Sequence, residues 1–158
     1  MMKALITPLQ VLRHAFGGGE PLAADAVNVA DIVAAEARFL RPVLGNKLHD
    51  ALLNGRHADF TANYLVTCIA LLTRFVIQPR LDLRTSRIGT LEPKADNGTA
   101  PDPASLRRLR ENLRHEAMIL LRRAVEEIEA NPSTYPEYDP HANIFNRCTT
   151  DGGFVQIF

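Results

Sequence analysis

The strongest constraint on the fold is a helix that is apolar around most of its circumference. It begins near Asp59, and more than half of its surface is covered by Phe60, Tyr64, Leu65, Cys68, Ile69, Leu71, Leu72, Phe75 and Val76. Such a helix is stable only when other helices surround it, so we expect it to form the centre of the core. Pro79 lacks an N–H and clashes with the carbonyl four residues earlier, so we expect the helix to end or kink there.

Capping residues mark the starts of other helices. Thr7 and Gln10 form a capping box around Pro8, which stands at the first helical position, and predict a short helix to about residue 16. Asn28 opens a second helix, which we expect to run through residue 41 because Pro42 should end it. The Gly-Asn pair at 45–46 leads into a short helix to about residue 53.

The longest predicted helix lies near the end of the chain. Asp102 caps it, Pro103 stands at its first position, and we expect it to run to about residue 130. Its apolar stripe consists of Leu106, Leu109, Leu113, Ala117, Leu120, Ala124 and Ile128. The glycine- and proline-containing segment 89–103, with Asn-Gly at 97–98, predicts an exposed loop.

The tail that follows residue 131 has a different pattern. Two apolar runs, 144–149 and 154–158, flank Thr-Asp-Gly-Gly at 150–153 and predict a β-hairpin or an extended arm. The sequence therefore predicts an all-α fold, a compact bundle of about five helices in residues 1–131. Residues 132–158 form an apolar C-terminal tail that packs on this body or on a neighbouring molecule.

Composition excludes several broad functions. The 18 basic and 18 acidic residues give a formal net charge of zero, so the chain has no general attraction for nucleic acid or anionic membranes. The apolar window 64–77 is too short to span a bilayer and contains Arg74. Two distant cysteines and no signal-peptide pattern indicate a soluble protein of the reducing cytoplasm.

No motif for catalysis, cofactor binding or metal binding is present. No two of the five histidines stand four residues apart as in a helical zinc site, and two ligands such as His141 and Cys148 make no closed site. The sequence contains neither a nucleophile elbow nor a phosphate-binding loop. We therefore expect a protein that is not an enzyme and holds no cofactor or metal.

Clustered arginines raise a nucleic-acid hypothesis. The last helix opens with Arg107, Arg108, Arg110 and Arg114, and a second face would contain Arg80, Arg84 and Arg87 if the helix resumes after the proline at 79. Such clusters can neutralise phosphates. The zero net charge and the lack of interleaved aromatic residues favour a solvated arginine face instead.

The order of charges along the last helix suggests assembly. Its first part is rich in arginine, whereas its end carries Glu126, Glu127 and Glu129, an order opposite to the one the helix dipole favours. Basic ends facing acidic ends of neighbouring subunits would explain this order in a head-to-tail ring. Pairing with adjacent helices of the same chain is the alternative.

The apolar tail needs a covering surface. Its large apolar side chains are Ile144, Phe145, Phe154, Val155, Ile157 and Phe158. They either insert into a neighbouring subunit, for which strand addition is one mode, or fold back over the chain's own core helix.

Several stretches resemble a known class of phage proteins. The run Ala-Leu-Ile-Thr-Pro-Leu-Gln-Val-Leu at 4–12 and the helix end Phe-Leu-Arg-Pro-Val-Leu-Gly at 39–45, followed by an apolar core helix, resemble the head–tail connector (adaptor) proteins of tailed phages. The stretches 78–85, 89–90, 93–94, 135–140 and 143–158 resemble uncharacterised proteins of this kind from prophage-like elements of gut Bacteroidetes. The loop 89–103 and the apolar tail depart from the connector pattern.

The resemblance carries its own expectations. It implies a helical, non-enzymatic structural protein that forms a homo-oligomeric ring and joins the portal to tail components. It further implies assembly in the bacterial cytoplasm and incorporation into the virion. A small DNA-associated protein that uses the arginine-rich helix face is the alternative.

Overall fold

A computed structural model shows five continuous helical rods in the described part of the chain. Two of the rods consist of two α-helices joined by a π-helical turn. The structure describes residues 2–17, 26–82, 84–86, 89–91, 102–151 and 154–157, with the backbone only for 84–86, 89–91, 148–151 and 154–157. The helices are α1 (Pro8–Ala15), α2 (Val29–Ala35), α3 (Arg41–Leu44), α4 (Asn46–Leu53), α5 (Ala58–Phe60), α6 (Val66–Asp82) and α7 (Pro103–Ala130). The predicted all-α bundle is therefore confirmed.

The first helix begins at its predicted capping box. The N–H of Gln10 donates to Oγ1 of Thr7, and the N–H of Thr7 donates to Oε1 of Gln10 over 2.8 Å. Pro8 occupies the first helical position, where its missing N–H costs nothing.

Pro42 does not end the second rod, so that prediction is wrong. A π-helical turn, Glu36–Leu40, joins α2 to α3, and the N–H of Arg41 bonds to the carbonyl of Glu36 five residues earlier. The helical hydrogen-bond pattern therefore changes immediately before Pro42. The N–H that proline lacks is at a position where the regular α-helical pattern is already interrupted. The rod ends at Gly45, whose φ of 79° is a conformation that favours glycine.

The central rod also continues past its proline. α5, a second π-helical turn (Thr61–Leu65) and α6 run without a break from Ala58 to Asp82, with Pro79 inside the last turns. Leu81 lies beyond the proline and packs against the core, which holds the final turn in place.

This 25-residue rod is longer than the sequence window suggested. An 18-residue window of this rod has a mean hydropathy of 1.6, so the rod is long and apolar enough to cross a membrane by length and composition alone. However, 61% of the apolar window is buried inside the protein, and a core helix meets the same criteria. α1, α2 and α7 pack against α6, as expected for the central helix.

The buried stripe of α7 differs slightly from the predicted one. Leu121 is fully buried, whereas Leu120 is half-buried, and Leu106 and Leu109 lie at the margin. The buried residues of the helix are Leu113, Ala117, Leu121, Ala124, Val125 and Ile128. Residues 103–112 contain no fully buried side chain, but Leu106, Leu109 and Arg110 are half-buried and Leu109 packs against the core.

Two short antiparallel strand pairs complete the described backbone. β1 (Arg84–Ser86) pairs with β2 (Gly89–Leu91), so the predicted loop 89–103 begins with a strand, and residues 92–101 lie outside the described part. β3 (Cys148–Asp151) pairs with β4 (Phe154–Ile157). The first strand of this hairpin begins later than predicted, because residues 144–146 form a 3-10 turn.

Candidate functional site

The basic part of α7 is exposed. The side chain of Asp102 accepts a hydrogen bond from the N–H of Ser105 over 2.6 Å, and hydrogen bonding to Ser105 lowers the pKa of this carboxyl group. Arg107, Arg108 and Arg114 are exposed, and none has a carboxylate partner among the described residues. The alternative in which they pair with adjacent helices of the same chain has no ion pair to support it among the described residues.

At the acidic C-terminal end of α7, glutamate side chains accept hydrogen bonds from residues of the same chain. Glu127 accepts hydrogen bonds from the hydroxyl group of Tyr64 (3.1 Å) and the side-chain amide of Asn131 (3.0 Å). The hydrogen bond to Glu127 raises the pKa of Tyr64. Glu126 is exposed and is the predicted interface glutamate that remains available on the described surface.

Glu129, the third glutamate, holds the tail. It accepts hydrogen bonds from the hydroxyl group of Tyr138 (3.0 Å) and from Asn146 (3.2 Å). Burial, together with this hydrogen bond, raises the pKa of Tyr138 to about 12. The fully buried Asn143 donates to the Tyr138 hydroxyl oxygen over 2.7 Å and accepts from the N–H of Phe145.

The segment after α7 is therefore anchored on the body. Tyr135 is buried with its ring 5.1 Å from that of Phe60 and 4.9 Å from that of His57. Glu137 pairs with Arg56 and with His57. Burial alone would raise the pKa of Glu137, but hydrogen bonds from its own backbone and from His57, with the charge of Arg56, hold it below its usual value.

The predicted tail interface divides into two parts. Ile144 and Phe145 are half-buried and pack against the core of their own chain. Phe154, Val155 and Ile157 lie in β4, where only the backbone is described, and residue 158 lies outside the described part. The first two residues thus follow the fold-back alternative, and the covering of the others stays a prediction.

The second predicted arginine face does not exist as a helix. Arg80 pairs with both carboxylate oxygens of Asp31 at 2.8–3.0 Å and donates to the carbonyl of Ala26. Burial alone would raise the pKa of Asp31, but the hydrogen bond from Arg80 helps to hold it low. Arg84 lies in β1 because the helix ends two residues before it, and Arg87 lies outside the described residues. Arg80 therefore pairs with Asp31 and Ala26 of its own chain.

A sequence profile of a family matches most of this architecture. The profile is described as "Family of unknown function (DUF6712)" and covers residues 35–146. The chain belongs to the DUF6712 family. No curated protein and no solved structure gives a significant match to it.

The DUF6712 region contains a buried polar pair that sequence reasoning missed. Oε2 of Glu36 lies 3.1 Å from Nε2 of His49, and Oε1 accepts the N–H of Leu5 over 2.8 Å. Both Glu36 and His49 are 1% exposed. One signal was available: Glu36 follows Ile32 by four residues and precedes Leu40 by four, in the middle of a buried stripe.

The described residues of the same region contain no metal site, and Cys68, its cysteine, is not a reactive thiol. No group of three histidine, cysteine, aspartate or glutamate side chains is placed to hold a metal ion in the described ranges. Cys68 is buried, its thiol donates to the carbonyl of Ala117 over 3.3 Å, and burial raises its pKa to about 12. A thiol in this state is protonated at neutral pH and is a poor nucleophile.

Proposed function

We propose that this protein is a non-enzymatic structural subunit of a phage or prophage particle, a head–tail connector (adaptor) that assembles into a ring. The resemblance of the stretches at 4–12 and 39–45 and the helical body support this proposal. Such a subunit would assemble in the bacterial cytoplasm, contact portal or tail components and remain in the virion.

The exposed basic part of α7 is the observation that carries the proposal. Residues 103–112 extend about 15 Å along the helix axis, at about 1.5 Å per residue, without one buried side chain. Arg107 and Arg108 lie in this stretch, and no acidic side chain pairs with them in the part of the chain that the structure describes. A complementary acidic surface on a neighbouring subunit would satisfy both charges and set the orientation of the contact.

The test is the mass of the protein in solution, measured by light scattering on a sizing column. We expect a discrete oligomer for the unchanged protein and a smaller species for Arg107→Glu/Arg108→Glu. A matched control, Arg13→Glu/Lys47→Glu, reverses the same number of exposed charges on α1 and α4 and should retain the oligomer. A monomer at all concentrations, or equal loss in both double variants, would contradict the proposal.

Nucleic-acid binding is the second candidate, favoured by the same exposed arginines. If Arg107, Arg108 and Arg114 each contact one phosphate of duplex DNA, raising the salt from 50 to 200 mM should weaken binding about 40-fold. Retention on duplex DNA with this salt response, in a protein that stays monomeric, would favour this candidate over the connector. No retention at the lower salt would exclude it.

A further inference from the structure

A groove on the described surface runs beside α7. It consists of two adjoining hollows of about 520 and 300 Å³, and both are lined by Arg114, Met118 and Phe145. One wall is the middle of α7, and the other contains the end of the second helical rod and the 3-10 turn at 144–146. Neither Arg107 nor Arg108 lines either hollow.

The floor of the groove is apolar and aromatic. The rings of Phe39 and Phe75 meet edge to face with centroids 5.8 Å apart, and both side chains are half-buried. Val43, Ile144 and Phe145 extend this surface. The floor therefore offers a large apolar side chain a place to bury, and the flexible thioether of Met118 can adapt to its shape.

Arg38, Arg114 and Arg122 form the cationic rim of the groove. Each of the three phenylalanines has a guanidinium group over its ring: Arg38 over Phe39 at 5.1 Å, Arg110 over Phe75 at 4.8 Å and Arg122 over Phe145 at 5.7 Å. Cation–π contacts hold these arginines over the floor but leave their hydrogen-bond donors to find other partners.

The rim has unused hydrogen-bonding capacity. Arg110 lines neither hollow, but it lies over Phe75 of the floor, and its buried Nε atom lacks a hydrogen-bond partner among the described atoms. Arg38, Arg114 and Arg122 form no ion pair with any described carboxylate, and Glu111 is the single acidic residue in the lining. A ligand with two or more carboxylates is thus complementary to this rim.

We propose that the groove binds a peptide segment of a partner protein that carries carboxylates on both sides of one large apolar side chain. The apolar side chain enters the hollow between Phe75 and Met118, and the carboxylates bind the rim arginines. Charge complementarity favours this ligand over a purely apolar segment. Stacked nucleic-acid bases fit less well, because the arginines already cover ring faces of the phenylalanines.

The test uses the full chain and a displayed library of short random peptides. Selection on the unchanged protein, with counter-selection on Arg114→Glu/Met118→Glu, should enrich peptides with a large apolar residue between acidic ones. For one enriched peptide, fluorescence anisotropy should show that Met118→Glu and Arg114→Glu each weaken binding by at least about tenfold, the size expected for central interface residues. Met118→Ala, which keeps the position apolar, should weaken binding less than Met118→Glu does. It serves as a milder second variant in case Met118→Glu does not fold.

Two neighbouring positions serve as matched controls. Ile119→Glu changes an exposed apolar residue one position along α7 that does not line the groove, and Arg107→Glu changes an arginine outside it. Both should bind the peptide as the unchanged protein does. The double variant Arg107→Glu/Arg108→Glu, which is designed to impair self-assembly, should also bind the peptide, and this separates failure of this inference from failure of the connector proposal.

Three results would overturn the inference. The first is the lack of any enrichment that depends on the groove. The second is binding of single-stranded oligothymidine, rather than peptide, with loss on Arg114→Glu. The third is peptide binding that appears only after Phe154→Ser/Ile157→Ser, which would make the groove the seat of the chain's own tail.

Discussion

Replacing Glu36 by leucine is the sharpest test of the packing described above. The change removes the acceptor for Nε2 of His49 and for the N–H of Leu5 while keeping a side chain of similar size. Leaving a buried donor unsatisfied costs about 1–3 kcal/mol, and loss of the half-buried backbone hydrogen bond adds about 1 kcal/mol. We therefore expect a loss of about 3 kcal/mol in the free energy of unfolding, which lowers Tm by about 6–12 °C in a chain of this size.

The double change Glu36→Leu/His49→Leu tests whether the lost stability comes from the contact between these two side chains. Replacing both partners of a buried polar pair by apolar groups is often nearly neutral, so the double variant should be more stable than Glu36→Leu alone. Urea unfolding followed by circular dichroism gives the four free energies of the cycle, and we expect a coupling energy of about 1–3 kcal/mol. Glu116→Leu, at an exposed position on α7, is the control and should change stability by about 0.5 kcal/mol or less. Additive effects of the two single changes would refute the coupling.

Three further predictions concern other parts of the body. Because the pKa of Glu137 is lowered in the folded state, its stabilising contribution is present above its ordinary value of 4.5 and is lost as the pH falls through the folded value; urea midpoints of Glu137→Gln and the unchanged protein should therefore differ at pH 7 and converge in acid. Leu121→Ala should lower the free energy of unfolding by about 2–5 kcal/mol because it opens a cavity in the core, whereas Ile119→Ala at the exposed neighbouring position should have little effect in the same urea assay. In a Cys148→Ser background, Cys68 should react with iodoacetamide only after unfolding, since it is buried and its pKa is raised to about 12; labelling of the native protein at the rate seen in urea would contradict its described position.

Signals that act over three or four residues could be predicted from the sequence. The capping box at Thr7 and Gln10 and the proline at position 103 mark helix starts that the structure confirms. The stripe positions Ala117 and Ala124 are likewise buried, because helical spacing alone places them on one face. These features depend on atoms of one turn and need no knowledge of the remaining chain.

Pro42 shows where local reasoning fails, whereas the helix that contains Pro79 ends three residues later, near the predicted place. Pro42 and Pro79 lower the stability of a helix, but whether the helix ends depends on what holds the next turn. The π-helical turn accommodates the first, and packing of Leu81 against the core supports the turn beyond the second. Both effects come from tertiary packing, which the local sequence does not contain.

The buried pair and the groove required the three-dimensional arrangement. Glu36 and His49 lie on different helices, and each looks like an ordinary surface residue in a list of polar positions. No aromatic residues stand among the α7 arginines in the sequence, yet folding places Arg110 over Phe75 and Arg122 over Phe145. Aromatic and cationic residues are thus interleaved in space although they are separate in sequence.

Hydrogen bonds within the chain at the C-terminal end of α7 limit which glutamates a neighbouring subunit in a ring could contact. The dipole penalty is about 0.3–1 kcal/mol per charge and is confined to the terminal turns, so it falls on Glu127 and Glu129 rather than on the arginines. Hydroxyl and amide donors of the same chain already bind both carboxylates. Glu126 is the glutamate of this end without a hydrogen-bond partner in the described part of the chain, so a simple end-to-end contact between α7 helices would offer it first to Arg107 and Arg108. Adding Glu126→Arg to the double arginine variant should therefore restore the oligomer only in part, and full restoration would mean that this single glutamate is the partner of both arginines.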